Sequence, residues 1–193
     1  MRIRSPLAAW LRPLVLLGAL APAVSAVAAA GTPCPPLLDK SFDSLDTGKS
    51  ENLCRYAGKV ILVVNTASHC GFSPQEKGLQ HLQAEYGPQG FVVLGFPSND
   101  FFQELSNPQA IVGYSQANYG VQFPLFAPSH VRGSEANPLF AQLIRESGTT
   151  PKWNFYKYLI GRDGKVVAAY SSLTTPEDKD LNAKIRKLLA QHP

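Results

Sequence analysis

Apolar residues run unbroken through Val60-Ile61-Leu62-Val63-Val64 and again through Phe91 to Phe96, FVVLGF. Neither run alternates with polar residues, so each reads as a strand buried on both faces, the first spanning 59–65. Between them Leu79, Leu82 and Tyr86 recur at i, i+3 and i+7, which predicts a helix over 73–86 that Gly87-Pro88 ends. Strand, helix and strand at this spacing form a βαβ unit with a right-handed crossover. Further on, 97–106 reads as a loop, 107–118 and 137–146 as helices, and 121–126 as a short extended segment limited by Pro124. The last third changes character. Segments 155–160 and 166–171 flank Gly161-Arg162-Asp163-Gly164, a hairpin signal because Asp-Gly suits a turn with positive φ. Thr175 then caps a final helix to about residue 190, with Pro176 in its first turn and Glu177 and Asp178 at the positive end of its dipole.

A βαβ half followed by a hairpin and a helix predicts an α/β, thioredoxin-like fold, a central mixed sheet flanked by helices. One domain over 27–193 is expected. The first 26 residues read differently: Arg2 and Arg4 precede an apolar stretch over 14–24, and small residues follow at Val24-Ser25-Ala26 and Ala28-Ala29-Ala30. That is the pattern of a secretory signal peptide, cleaved after 26 or as late as 30. The alternative is an uncleaved anchor, although the stretch is short of the roughly 20 apolar residues of a membrane span and is interrupted by Pro22. No lipobox precedes Cys34. The segment holds three of the 18 basic residues, Arg2, Arg4 and Arg12, and none of the 14 acidic ones, leaving 15 against 14. A near-neutral mature chain gives no reason to expect a nucleic-acid or anionic-membrane partner. An exported protein, most simply of the bacterial periplasm, is expected.

Export makes the three cysteines informative. Cys34 lies in the irregular arm TPCPP and Cys54 just before the first strand. A structural disulfide between them would tie the arm to the body, for about 3 kcal/mol in the chain-entropy model. The alternative is that one of them attacks an oxidised Cys70. Cys70 itself sits in NTASHCGFSPQ, at the C-terminal edge of the first strand and the entrance to a helix, where α/β sheets place their reactive sites. The partial positive charge and free N–H groups there favour thiolate, the nucleophilic form. A small buried hydrophobe is the competing reading. Position 73 is serine, so the turn carries no Cys-x-x-Cys. His69 is a neighbouring imidazole whose side chain need not face Cys70, and the four histidines show no metal-ligand spacing.

Three blocks in order, KVILVVNTASHCGFSPQ, then GFVVLGFPSNDF followed by Gln103-Glu104, then Lys152-Trp153-Asn154-Phe155, resemble the signature blocks of the glutathione peroxidases. The resemblance runs from about residue 36 to 190. It implies a thioredoxin-like fold and reduction of hydrogen peroxide and organic or lipid hydroperoxides by a peroxidatic Cys70. It also implies that Gln103, Trp153 and Asn154 supply neutral N–H donors around the sulfur. Only Phe102 separates Phe101 from Gln103, one residue fewer than the family usually has, which leaves Asn99 or Asp100 as alternatives facing the pocket. Ser115 and Ser98 stand where relatives carry further cysteines. The resemblance therefore implies an external thiol as reductant, such as glutathione or a thioredoxin-like protein, and no cofactor or metal. The short connection before Lys152 resembles monomeric members. Two rival readings are a redox sensor or binding protein on this fold, and a thiol-disulfide oxidoreductase in which Cys54 and Cys70 pair.

Overall fold

A computed structural model describes Met1 and residues 33–191. The expected signal segment thus lies, apart from Met1, outside the described residues. The N-terminal arm leads into a two-stranded hairpin, β1 (Ser41–Asp43) and β2 (Ser50–Asn52), and a short 3-10 helix over Leu53–Tyr56. The body follows in chain order: β3 (Val60–Thr66), α1 (Gln75–Tyr86), β4 (Phe91–Pro97), α2 (Pro108–Tyr119), α3 (Pro138–Ser147), β5 (Lys157–Ile160), β6 (Val166–Tyr170) and α4 (Lys179–Leu189).

The main sheet has the order β4-β3-β5-β6, with β3 and β4 parallel and the β3–β5 and β5–β6 pairs antiparallel. It is the mixed thioredoxin-like sheet. The unbroken apolar run has its reason in the two layers. Val60, Leu62 and Val64 face α1 and α4, where Leu79, Leu82, Leu181 and Ile185 wait, whereas Ile61 and Val63 face α3 and the N-terminal arm through Leu139, Phe140, Leu143, Leu37 and Leu38. Fully burying each such side chain contributes about 1.5–3 kcal/mol, so β3 is the axis of the fold and its C-terminal end is held rigidly.

Local chemistry moves several predicted boundaries. The helix expected from residue 73 starts at Gln75, because residues 70–74 wind in tighter turns: Ser73 N–H donates to the Cys70 carbonyl at 2.9 Å and Gln75 N–H to that of Phe72 at 2.9 Å. The cap of α4 is Asp178, not Thr175. Its carboxylate accepts from Leu181 N–H at 3.0 Å, while Thr175 to Asp178 forms a preceding turn, and a carboxylate at that place also suits the dipole. Segment 121–126 makes no regular strand. Pro124 has no N–H to give, and pairing with β4 shrinks to Gly95 N–H donating to Pro124 O (2.9 Å) and Phe126 N–H to Gly95 O (3.0 Å). The approach is close enough that a Cβ on Gly95 would fall 2.5 Å from Leu125 Cδ2.

Cys34 and Cys54 form the disulfide, with Cα atoms 5.1 Å apart and a sequence separation of 20. The arm is thereby fastened beside β3. No helix among the described residues is long and apolar enough to cross a membrane.

Candidate active site

Cys70 is the free cysteine, 2% exposed, in the turn between β3 and α1. The hydrogen bond on its Sγ comes from Phe72 N–H at 3.4 Å, an amide that the tight turn leaves facing the sulfur. His69 beside it is exposed and sets its ring edge-on to Tyr114 of α2, centroids 6.1 Å apart. Ser73, where a second thiol would stand in a Cys-x-x-Cys turn, hydrogen-bonds Tyr119 Oη at 2.9 Å.

The loop after β4 closes over this turn. Gln103 O accepts from His69 N–H at 2.9 Å, so the two backbones lie side by side. The missing loop residue is absorbed at Phe102, which takes a left-handed φ of 57° and leaves its ring 90% exposed. Gln103 can then reach inward, and its Oε1 accepts from Asn154 Nδ2 at 3.1 Å. That bond uses one lone pair of the Gln103 amide oxygen and leaves its own amide N–H groups for another partner. The two alternatives are occupied elsewhere. Asp100 accepts from Val131 N–H at 2.7 Å and pairs with His130 Nδ1 at 2.6 Å, and Asn99 Oδ1 accepts from Glu104 N–H at 3.2 Å.

The third segment is a corner before β5. Asn154 is fully buried and its backbone carbonyl accepts from Ser172 Oγ at 2.5 Å. Trp153 is 40% exposed and packs on Phe101 with ring centroids 5.4 Å apart, with Arg132 over the other ring at 4.8 Å. Two buried polar residues that the sequence reading passed over hold the corner. Asn65, the one amide in an otherwise apolar strand end, donates to Trp153 O at 3.1 Å and accepts from Tyr156 N–H at 2.9 Å. Lys157, 0% exposed, donates to Phe155 O at 2.8 Å across the left-handed φ of 64° at Phe155. Burial pushes its ammonium down from 10.5 to about 7, against a weaker pull upward from Glu177. A polar residue inside an apolar run was the available signal for both.

Two carboxyls lie below the Cys70 turn. Glu104 Oε1 accepts from Ser68 N–H (3.0 Å), Ser68 Oγ (2.6 Å) and Leu105 N–H (2.8 Å). Glu76 of α1 is 1% exposed, with Ser115 of α2 opposing the rise that burial gives its carboxyl. Burial raises both, Glu76 to about 7, where the Glu104 charge adds a smaller push upward. A cleft of about 620 Å³ lies outside this constellation. It is lined by Asp100, Phe102, His130 and Arg132 and by none of Cys70, Gln103, Trp153 or Asn154.

A lone buried thiol at the β3 edge of a thioredoxin-like sheet, with the Gln103 loop beside its turn and joined to Asn154, defines a single-cysteine thiol protein. Gln103 and Asn154 meet each other, and none of Gln103, Trp153 and Asn154 hydrogen-bonds the Cys70 Sγ among the described residues. Residues 39–144 match the family described as Glutathione peroxidase. Curated relatives include a glutathione peroxidase of Lactococcus lactis, 45% identical over 148 residues (74% of this chain, 92% of that protein). A hydroperoxy fatty acid reductase of Synechocystis is 44% identical over 160 residues (77% and 93%). Among solved structures, one described as Trgpx in apo form aligns with a TM-score of 0.65 at 37% identity, covering 81% of this chain and 97% of that one. The chain belongs to the glutathione peroxidase family. It is a thiol-dependent peroxidase, an oxidoreductase acting on hydroperoxides.

Proposed function

We propose that this protein is an exported one-cysteine peroxidase in which Cys70 reacts and Gln103, Trp153 and Asn154 tune it. The observation that carries the reading is the pair of bonds, His69 N–H to Gln103 O and Asn154 Nδ2 to Gln103 Oε1, that gather the three segments around the one free thiol. The Cys70 thiolate attacks the distal peroxide oxygen, the O–O bond breaks, and the departing alkoxide or hydroxide takes a proton to leave as alcohol or water. Neutral amide and indole donors in a buried site stabilise that developing anion without bringing a charge of their own. Cys70 becomes a sulfenic acid, which one external thiol condenses with, releasing water. A second thiol displaces Cys70 and leaves as the oxidised disulfide. Cys34 and Cys54 are engaged with each other, and Ser115 and Ser98 offer no thiol, which supports an external reductant.

The exposed Phe102 and Leu173, chain neighbours of Gln103 and Ser172, suit an apolar hydroperoxide, as the name of the Synechocystis relative also suggests. The N-terminal pattern and the disulfide support export to a periplasm. The short link from α3 to Lys152 supports a monomer. The test is single-turnover oxidation by hydrogen peroxide and by a fatty acid hydroperoxide, followed by Trp153 fluorescence, with sulfenic acid trapped and located by mass spectrometry. Rapid stoichiometric oxidation at Cys70, abolished in Cys70→Ser with an unchanged circular dichroism spectrum, is expected. Equal peroxide consumption by wild type and Cys70→Ser refutes the assignment, and oxidation no faster than that of a free thiol favours a sensor or binding role.

A further inference from the structure

Glu104 makes three hydrogen bonds through one oxygen, and two of them hold Ser68, two residues before Cys70. Its backbone is fixed in turn by Asn99 Oδ1, and the neighbouring Gln103 carbonyl holds His69 N–H. The turn carrying the sulfur is therefore stitched to the Gln103 loop by one carboxylate and one carbonyl. The second carboxylate oxygen, Oε2 of Glu104, is buried without a hydrogen-bond partner among the described residues, and so is Oε2 of Glu76. Burial raises the Glu104 carboxyl, and the three bonds on Oε1 pull it back toward the ionised, accepting form.

We propose that Glu104 is a positioning residue for Cys70, clamping the reactive turn onto the Gln103 loop through its two bonds to Ser68. This rests on Cys70 being the reacting thiol.

The test measures two Cys70 rates at pH 7, oxidation by hydrogen peroxide and alkylation by iodoacetamide, in wild type, Glu104→Ala, Glu104→Gln and Ser68→Ala, with circular dichroism as a check on folding. Glu104→Ala should slow oxidation by about tenfold or more, since a displacement on the order of 1 Å costs up to about a hundredfold. Glu104→Gln retains the acceptor for Ser68, so it should restore the rate to within about threefold of wild type, the worth of one neutral hydrogen bond. Ser68→Ala, which loses the 2.6 Å bond to Glu104, should slow oxidation by about threefold or more. A folded Glu104→Ala at the wild-type rate, Glu104→Gln as slow as Glu104→Ala, or Ser68→Ala at the wild-type rate would each overturn the proposal. If Glu104→Ala does not fold, Glu104→Gln and Ser68→Ala decide it. Slowed alkylation in Glu104→Ala together with negligible peroxide reaction in wild type would sink the peroxidase assignment of Cys70 and leave the clamp standing.

Discussion

Replacing Lys157 by methionine should make the protein more stable at neutral pH and slower as a peroxidase. The lysine is fully buried on β5, and its ammonium falls from 10.5 to about 7 because burial penalises the charged form. The sign follows from the protons bound. Between pH 7 and 10.5 the unfolded chain keeps a proton that the folded chain has released, so unfolding becomes less favourable as pH rises. At or below pH 7 the full penalty is present, on the order of 5 kcal/mol for a displacement from 10.5 to about 7. Between pH 7 and 9 about 2–3 kcal/mol of it is removed. Lys157→Met has no such slope and fills similar volume with apolar atoms, but it leaves the Phe155 carbonyl without its donor, at a cost of about 1–3 kcal/mol. The net expectation is a variant more stable by about 2–4 kcal/mol at pH 7, an advantage that shrinks by about 2–3 kcal/mol by pH 9. Urea denaturation at both pH values, with unchanged m, measures it. The freed Phe155 corner lets Trp153 and Asn154 drift, so single-turnover oxidation of Cys70 should slow. A stability difference that stays constant from pH 7 to pH 9 would refute the reasoning, because it would mean that Lys157 is not held near neutrality by burial.

Three further outcomes are expected. The double variant Cys34→Ser, Cys54→Ser should lose about 3 kcal/mol of stability while Cys70 is still oxidised at close to the wild-type rate, read by denaturation and stopped flow; a collapse of the rate would show that the pair takes part in turnover. Asn65→Leu leaves Trp153 O and Tyr156 N–H unpaired in the interior and should cost about 2–4 kcal/mol, with a slower oxidation of Cys70; a stability within 0.5 kcal/mol (about the scatter of surface substitutions) contradicts this. Phe102→Gly removes an exposed ring from a left-handed backbone and should stabilise by up to about 1 kcal/mol, measured by thermal denaturation at fixed pH; a clear loss of stability would mean the ring has a contact that its 90% exposure denies.

The sequence by itself determined the frame. Short apolar runs with no alternation read as strands covered on both faces, which placed β3 and β4, and Leu79, Leu82 and Tyr86 at i, i+3 and i+7 placed the crossover helix between them. It also placed Cys70 at the sheet edge, because a strand of that length has one exit and the thiol stands there. Asp163-Gly164 declared the hairpin through the positive φ of its turn, 76° at Gly164. Exact helix starts were beyond it: Ser73 and Thr175 have good capping chemistry, yet the chain begins α1 at Gln75 and caps α4 with Asp178. Several polar side chains can satisfy the same free N–H, and the packing of the whole helix decides which one is in place.

Tertiary structure decided everything that depends on residues far apart in the chain meeting. A loop one residue short could have lost Gln103. Only the fold shows Phe102 taking the strained φ so that Gln103 meets Asn154, 51 residues away. The same holds for the buried polar set, Asn65, Lys157, Glu76 and Glu104, which looked like ordinary strand, helix and loop positions in sequence. Their roles come from burial. In water an amide, an ammonium or a carboxyl finds partners anywhere, whereas in the interior each must be matched by a particular group, and those matches, made across the chain, hold the Cys70 turn in place.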